Sequence, residues 1–211
     1  MNTCVLCGGT AVFWQADRRR PYLRCQRCLL VQVPADHQLD ADAELAEYRL
    51  HRNDPDDQGY RRFLSRLAEP LLQRLPAGSS GLDFGCGPAP ALAMLLREQG
   101  HRVALHDLYF ANNPQVFDQQ WDFICASEVV EHLAQPGAEL HRLWQCLKAG
   151  GWLALMTKRV RDAEAFANWH YKNDPTHICF FSVPTFDWLA AHWQTRAEYP
   201  ADDVVLLRKP L

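Results

Sequence analysis

The chain has 211 residues, of which 48% are hydrophobic and 22% charged, and its formal net charge is −3. That balance excludes a disordered chain and leaves no overall cationic field to gather nucleic acid. No run reaches the roughly 18–20 apolar residues of a membrane helix, and residues 1–10 lack the basic and apolar regions of a secretory signal, so a soluble cytoplasmic protein with no membrane partner is expected.

Residues 1–34 form the first predicted unit. Cys4-Val-Leu-Cys7 and Cys25-Gln-Arg-Cys28 give a C-x₂-C-x₁₇-C-x₂-C spacing, with short β-like stretches at 10–15 and 21–24 joined by a turn at 17–20. Two such knuckles suit one tetrahedral Zn²⁺ on Cys4, Cys7, Cys25 and Cys28, a closed and therefore structural site of the zinc-ribbon kind. A redox dithiol or a chance spacing are the competing assignments. Cys86, Cys125, Cys146 and Cys179 stand singly in apolar surroundings and read as small buried hydrophobes. Arg18, Arg19, Arg20, Arg24 and Arg27 crowd the same unit and read as a solvated loop face, with RNA contact as the alternative.

Residues 35–211 form the second predicted domain, and 35–76 its helical lead-in. A helix is expected near 40–51, a turn-rich break at 53–57, and a second helix over 60–75 that Pro70 should kink or divide. From residue 81 strands and helices alternate: strand 81–84, helix 91–98, strands 102–106 and 123–126, helix 137–147 ended by Gly150-Gly151, strand 152–157 and helix 185–192. The stretches 196–199 and 204–207 close the chain as an antiparallel hairpin. The pattern predicts an α/β fold, a mostly parallel sheet with helices on both faces.

The sharpest motif is Gly81-Leu82-Asp83-Phe84-Gly85-Cys86-Gly87-Pro88-Ala89-Pro90. A strand ends in a carboxylate, and a glycine turn then opens onto a helix, so that backbone can approach a ligand closely. The next strand ends at Asp107, where a carboxylate can grip both hydroxyls of a ribose. A dinucleotide fingerprint would place its third glycine at position 90, which is Pro90, so a nicotinamide oxidoreductase is disfavoured.

This motif resembles the acidic-x-G-x-G-x-G signature of the class I S-adenosylmethionine-dependent methyltransferases, with Ala89 at the third small position. Residues 121–133 (WDFICASEVVEHL) look like the family's fourth-strand segment, and residues 147–153 (LKAGGWL) like its turn before strand five. The resemblance implies a Rossmann-like domain that uses S-adenosylmethionine. Asp83 and the Gly85-Cys86-Gly87 backbone would hold the methionyl end, Asp107 the ribose and Leu108 the adenine, while Ser127 and Glu128 would border the methyl group. The usual third strand should be missing or vestigial between Asp107 and Trp121. Tyr48, His51 and Asn53 could fold over the cofactor as a lid.

The acceptor side is expected at two clusters. Glu128, Glu131 and His132 stand at i, i+3 and i+4, on one face if a helix starts there. Residues 169–177 gather Trp169, His170, Tyr171 and His177 in a connection, which suggests a functional loop. His177, Glu131, His132 and Tyr171 are the candidate catalytic residues. The segment resembles the divalent-metal pattern of small-RNA 2′-O-methyltransferases and some quinone-ring O-methyltransferases, implying a second divalent metal at Glu128, Glu131, His132 and His177. A metal-free site in which His177 acts as general base stands beside it. The expected activity is O-methylation of a small or medium-sized acceptor. An RNA end, or a non-catalytic cofactor-binding module that docks a partner through the ribbon, are the alternatives.

Overall fold

The computed structural model describes residues 2–50 and 53–211, and His51 therefore lies outside the described residues. Four short strands come first: β1 (Asn2–Thr3), β2 (Thr10–Ala16), β3 (Pro21–Cys25) and β4 (Val31–Gln32). Two helices follow, α1 (Ala41–Tyr48) and α2 (Gln58–Leu72). Asp40 and Asp57 start them, their carboxylates accepting the Ala43 and Tyr60 amides. Pro70 does not divide α2: it falls in the last turn, where its missing amide interrupts little of the helix.

The remaining elements alternate: β5 (Ser80–Phe84), α3 (Ala91–Glu98), β6 (Arg102–His106), β7 (Trp121–Ser127), α4 (Pro136–Gln145), β8 (Leu147–Met156), α5 (Ala163–Ala167), β9 (Cys179–Phe180), α6 (Val183–His192), β10 (Ala197–Ala201) and β11 (Val204–Arg208). The large sheet runs β10-β11-β8-β7-β5-β6. β6, β5, β7 and β8 are parallel, while β11 and β10 close the sheet antiparallel as expected. Among the described residues no strand lies between β6 and β7. The expected turn at Gly150-Gly151 is not a separate connection. β8 already begins at Leu147, and residues 148–151 bulge out of its pairing with β7.

Strand alternation divides the interior in two. Phe123, Cys125, Trp152, Ala154 and Met156 face α2 and α3. Ile124, Ala126, Leu153 and Leu155 face α4, α6 and the cysteine-bearing segment. That segment belongs to a second sheet, β1-β2-β3-β4-β9, so strand β9 is supplied from almost 150 residues downstream. Tyr22, Phe166 and Phe180 pack edge to face between the two sheets. Gly137 starts α4 against the same segment, where a Cβ would stand 2.4 Å from the Leu6 carbonyl oxygen.

The chain leaves β5 toward β6 on one side, while β7 pairs on its other side. The carboxyl ends of β5 and β7 thus flank a topological switch point, the place where open α/β sheets hold ligands.

Candidate active site and cysteine cluster

A cavity of about 840 Å³ opens at this switch point. Gly85 enters it with φ +72°, a left-handed conformation that favours glycine, and a Cβ there would meet Val129 at 2.4 Å. The loop is pinned by its own amides: Gly85 donates to the His106 carbonyl (2.7 Å) and Gly87 to Asp107 Oδ2 (3.0 Å). Asp107 Oδ1 accepts the Tyr109 and Phe110 amides, so its orientation is fixed by backbone donors with lone pairs to spare. Gly85, Cys86, Gly87, Asp107 and Leu108 line one half of the cavity. Asp83 does not. It is 3% exposed, accepts the Ala93 amide at the start of α3, and its carboxyl is pushed up to about 7 by burial. Cys86 lines the loop with its thiol pushed up to about 12, chiefly by burial and then by Asp83 and Asp107.

The other half is built from side chains. Ser127 ends β7, and Glu128 follows at φ +53° with its amide donating to the Met156 carbonyl. Residues 130–132 form a single 3₁₀ turn. Glu128, Glu131 and His132 are therefore not stacked on one α-helical face as the i, i+3, i+4 spacing predicts, because the left-handed Glu128 backbone breaks that register. The Tyr171 hydroxyl lies between the two carboxylates, with Glu131 Oε1 its closest partner and Glu128 Oε2 at 3.1 Å. Burial pushes both carboxyls up, and the charge of Glu128 adds to the effect at Glu131. One buried phenol proton cannot serve two carboxylates at once, so the group retains a proton near neutrality. Glu128 Oε1 and Glu131 Oε2 are buried without a hydrogen-bond partner.

His132 and His177 face each other at 4.7 Å between ring centroids. His132 Nδ1 meets the Thr176 carbonyl at 3.2 Å and His177 Nδ1 the Tyr171 carbonyl at 2.7 Å. A carbonyl only accepts, so each Nδ1 carries a proton, and His177 Nε2 faces the Asp174 carboxylate at 3.8 Å. One ligand atom each from Glu131, His132 and His177 lies within 4.8 Å of the others, and Glu128 stands outside that group. Ser127, Glu128, His132, Tyr171 and His177 line the cavity, whereas Glu131 is fully buried behind them.

Some lining residues carry no signal in the sequence. Glu44 of α1 accepts hydrogen bonds from both Tyr48 and Tyr109, each at 2.8 Å, which fastens α1 over the cavity. An acidic residue in a first helical turn otherwise reads as a dipole complement. Of the expected lid residues, Tyr48 meets His132 edge to face and Asn53 reaches the lining. Lys158 lies just beyond β8, at the strand end where such a residue could have been suspected.

The N-terminal cysteines converge. Their sulfurs all lie within 4.8 Å of one another, with Cys4–Cys28 at 3.6 Å and Cys7–Cys25 at 3.4 Å. Four thiolates about 2.3 Å from one tetrahedral ion would be spaced at roughly 3.8 Å, close to these distances. Backbone amides of Gly9, Arg27 and Cys28 point at the sulfurs of Cys7 and Cys25 and would help hold them ionised. The donor set thus fits Zn²⁺. The expectation of a solvated arginine face fails at Arg20, which is 7% exposed and bonded to loop carbonyls, whereas Arg18, Arg19 and Arg27 are exposed.

A glycine loop at a switch point, with a carboxylate at the end of the next strand lining the same cavity, defines an α/β fold with a ligand site at the carboxyl ends of its strands. The family that matches is described as a methyltransferase domain and spans residues 29–194. The chain belongs to this family and is an S-adenosylmethionine-dependent methyltransferase. Solved structures share the fold. Burkholderia thailandensis 1,6-didemethyltoxoflavin-N1-methyltransferase, solved with its substrate and S-adenosylhomocysteine, is 18% identical with a TM-score of 0.57, over 94% of this chain and 99% of that one. Human N-acetylserotonin methyltransferase with S-adenosylmethionine is 14% identical at 0.55, over 80% and 57%. The mitomycin 7-O-methyltransferase MmcR is 15% identical at 0.52, over 77% and 59%. Among curated proteins no sequence matches the chain. Among the described residues no helix is long and apolar enough to cross a membrane.

Proposed function

We propose that the protein transfers the methyl group of S-adenosylmethionine to a hydroxyl oxygen of a small or medium-sized acceptor. The observation that carries this reading is the continuity of one cavity, from the Gly85–Gly87 loop and Asp107 to Tyr171, His132 and His177. Its volume of about 840 Å³ lies within the range of about 300–1,000 Å³ typical of small-molecule sites. Asp107 takes the ribose, the Gly85-Cys86-Gly87 backbone the methionyl end, Leu108 the adenine, and Ser127 and Glu128 border the methyl group. Asp83 acts from beneath the loop by holding α3 to β5.

A hydroxyl must lose its proton as it attacks the sulfonium methyl, and the acceptor end offers the imidazoles of His132 and His177, the latter facing Asp174 at 3.8 Å, beside a carboxylate pair. Glu131, His132 and His177 would hold a divalent cation, with Glu128 alongside. The fit rests on the unpartnered carboxylate oxygens and on imidazoles whose Nδ1 protons are already committed to carbonyls. Bound there, Mg²⁺, Mn²⁺ or Zn²⁺ would lower the pKa of an acceptor hydroxyl. Tyr171 keeps the carboxylates apart and aligned. Cys4, Cys7, Cys25 and Cys28 hold a separate, structural Zn²⁺.

The test is a methyl-donor turnover screen over phenols, catechols, amines and short RNA, each with and without Mn²⁺. Transfer to oxygen of a small phenolic compound is expected, with His177→Ala slower by about 100-fold or more. Transfer only to nitrogen or RNA, or a fully active His177→Ala, would overturn the acceptor assignment. Mn²⁺ uptake that is indifferent to both Glu131→Ala and His177→Ala removes the cation and leaves a metal-free base.

A further inference from the structure

The loop that carries Tyr171 and His177 has little regular structure of its own: a 3₁₀ turn at His170–Asn173, then irregular chain up to β9. Four of its carbonyl oxygens, those of Lys172 and His177 in buried contacts and those of Asp174 and Pro175 in part-buried ones, converge on one side chain from the opposite end of the sequence. Arg20 Nη2 donates to the carbonyls of Lys172 (3.0 Å), Asp174 (2.9 Å) and His177 (2.8 Å), and Nη1 to that of Pro175 (3.0 Å). Arg20 Nε completes the set on the Tyr22 hydroxyl at 3.4 Å.

A second tie runs alongside. Buried Lys172 pairs with Asp17 at 2.6 Å, and Asp17 also accepts the Tyr22 hydroxyl and the amides of Arg19 and Arg20. The turn between β2 and β3 is thereby clamped to the acceptor loop. Nothing in the cysteine cluster requires this: the four sulfurs are gathered without Arg20, and a guanidinium at a hairpin turn would ordinarily lie in water.

We infer that Arg20 is a positioning residue for the acceptor site, setting the place and tautomer of the His177 imidazole through the loop carbonyls it gathers. The relay is short. Arg20 fixes the His177 and Lys172 carbonyls, and the wrapped loop then brings the Tyr171 carbonyl onto His177 Nδ1 and the Thr176 carbonyl onto His132 Nδ1. A planar fork with five N–H donors can serve carbonyls on several bearings, and an ammonium group on a flexible stem cannot do so equally well. The segment bearing the cysteines thus becomes part of the catalytic half of the enzyme. This inference rests on the reading of His177 as an acceptor-site residue.

The experiment compares wild type with Arg20→Ala, Arg20→Lys and, as a control on the same turn, the exposed Arg18→Ala. Two readouts need no acceptor. S-adenosylhomocysteine affinity should stay within about twofold in every variant, since the donor half is remote. Histidine side-chain ¹⁵N spectra, with His177 assigned by its loss in His177→Ala, should show a single Nδ1–H tautomer in wild type and Arg18→Ala. Arg20→Ala should show mixed tautomers and Arg20→Lys an intermediate state. With the oxygen acceptor from the turnover screen, kcat of Arg20→Ala should fall about 100-fold while donor KM is unchanged, the effect of a misplacement near 1 Å. If Arg20→Ala does not fold, Arg20→Lys decides. An unaltered His177 signal in the folded Arg20 variants overturns the inference. A fully active His177→Ala with disturbed Arg20 spectra instead faults the acceptor reading and leaves the brace standing.

Discussion

The two halves of the cavity are made of different material. The donor half is backbone: a glycine loop whose amides and the adjoining carboxylate satisfy one another within some 25 residues of chain. The acceptor half is side chain, assembled from residues 128–132, 171–177 and the distant Arg20, with one unpartnered oxygen on each of two buried carboxyls. On the proposed assignment, the donor half is therefore a rigid receptor for one invariant cofactor. On the same assignment, the acceptor half would take a cation or substrate on its unpartnered carboxyl oxygens, and its loop is tied to a remote segment through Arg20.

The largest test of this contrast is Cys25→Ser. It should release zinc and forfeit on the order of 10 kcal/mol of metal-coupled folding free energy. Hydrogen exchange should rise first in residues 10–32, then across β9 and the 170–178 loop, because β4 pairs with β9. S-adenosylhomocysteine affinity should change far less. Donor binding that disappears together with the ribbon would break the contrast. A purified protein without zinc and with a folded N-terminus would remove the metal.

A smaller effect is expected from Asp83. Its folded carboxyl titrates near 7 against an ordinary 3.8, so between these values the folded state binds the proton more tightly than the unfolded chain. The resulting stability is complete below about pH 4 and is lost as pH rises through about 7, an effect on the order of 4 kcal/mol. Urea unfolding at pH 5 and pH 8 should show a steeper loss in wild type than in Asp83→Asn. Equal slopes would mean that Asp83 is ionised and solvated in the fold.

The smallest effect is confined to one half. Asp107→Ala should weaken S-adenosylmethionine about tenfold or more in calorimetry, through loss of charged hydrogen bonds. The ¹⁵N signals of His132 and His177 should not move. Unchanged affinity would displace the ribose from Asp107, and altered histidine signals would join the two halves into one.

The same contrast explains what could be read from the sequence. Glycines 85 and 87, Asp107, the missing third strand and the closing hairpin follow from local rules, since each is set by neighbours in the chain. The meeting of Glu131, His132 and His177 could be suspected from residue types, yet its geometry could not. A helical register predicts stacked side chains, whereas the left-handed Glu128 and a 3₁₀ turn deliver them differently. Arg20 was least legible, because a charged residue in an arginine-rich turn looks solvated until the carbonyls some 150 residues later are placed around it. Glu44 was hidden for the same reason, its partner Tyr109 being 65 residues away.

The pairing of Val31 and Gln32 with Phe180 and Cys179 bears on how the protein is made. As it leaves the ribosome, the sheet that bears the cysteines lacks its last strand until some 150 further residues have been added. At about 5–20 residues per second, that wait is roughly 7 to 30 s. For most of it, β4 presents an open edge, the buried face of Tyr22 has neither Phe166 nor Phe180 to cover it, and Arg20 has no loop to grip. Slowing elongation before residue 180 should therefore lower the yield of folded enzyme more than slowing it afterwards.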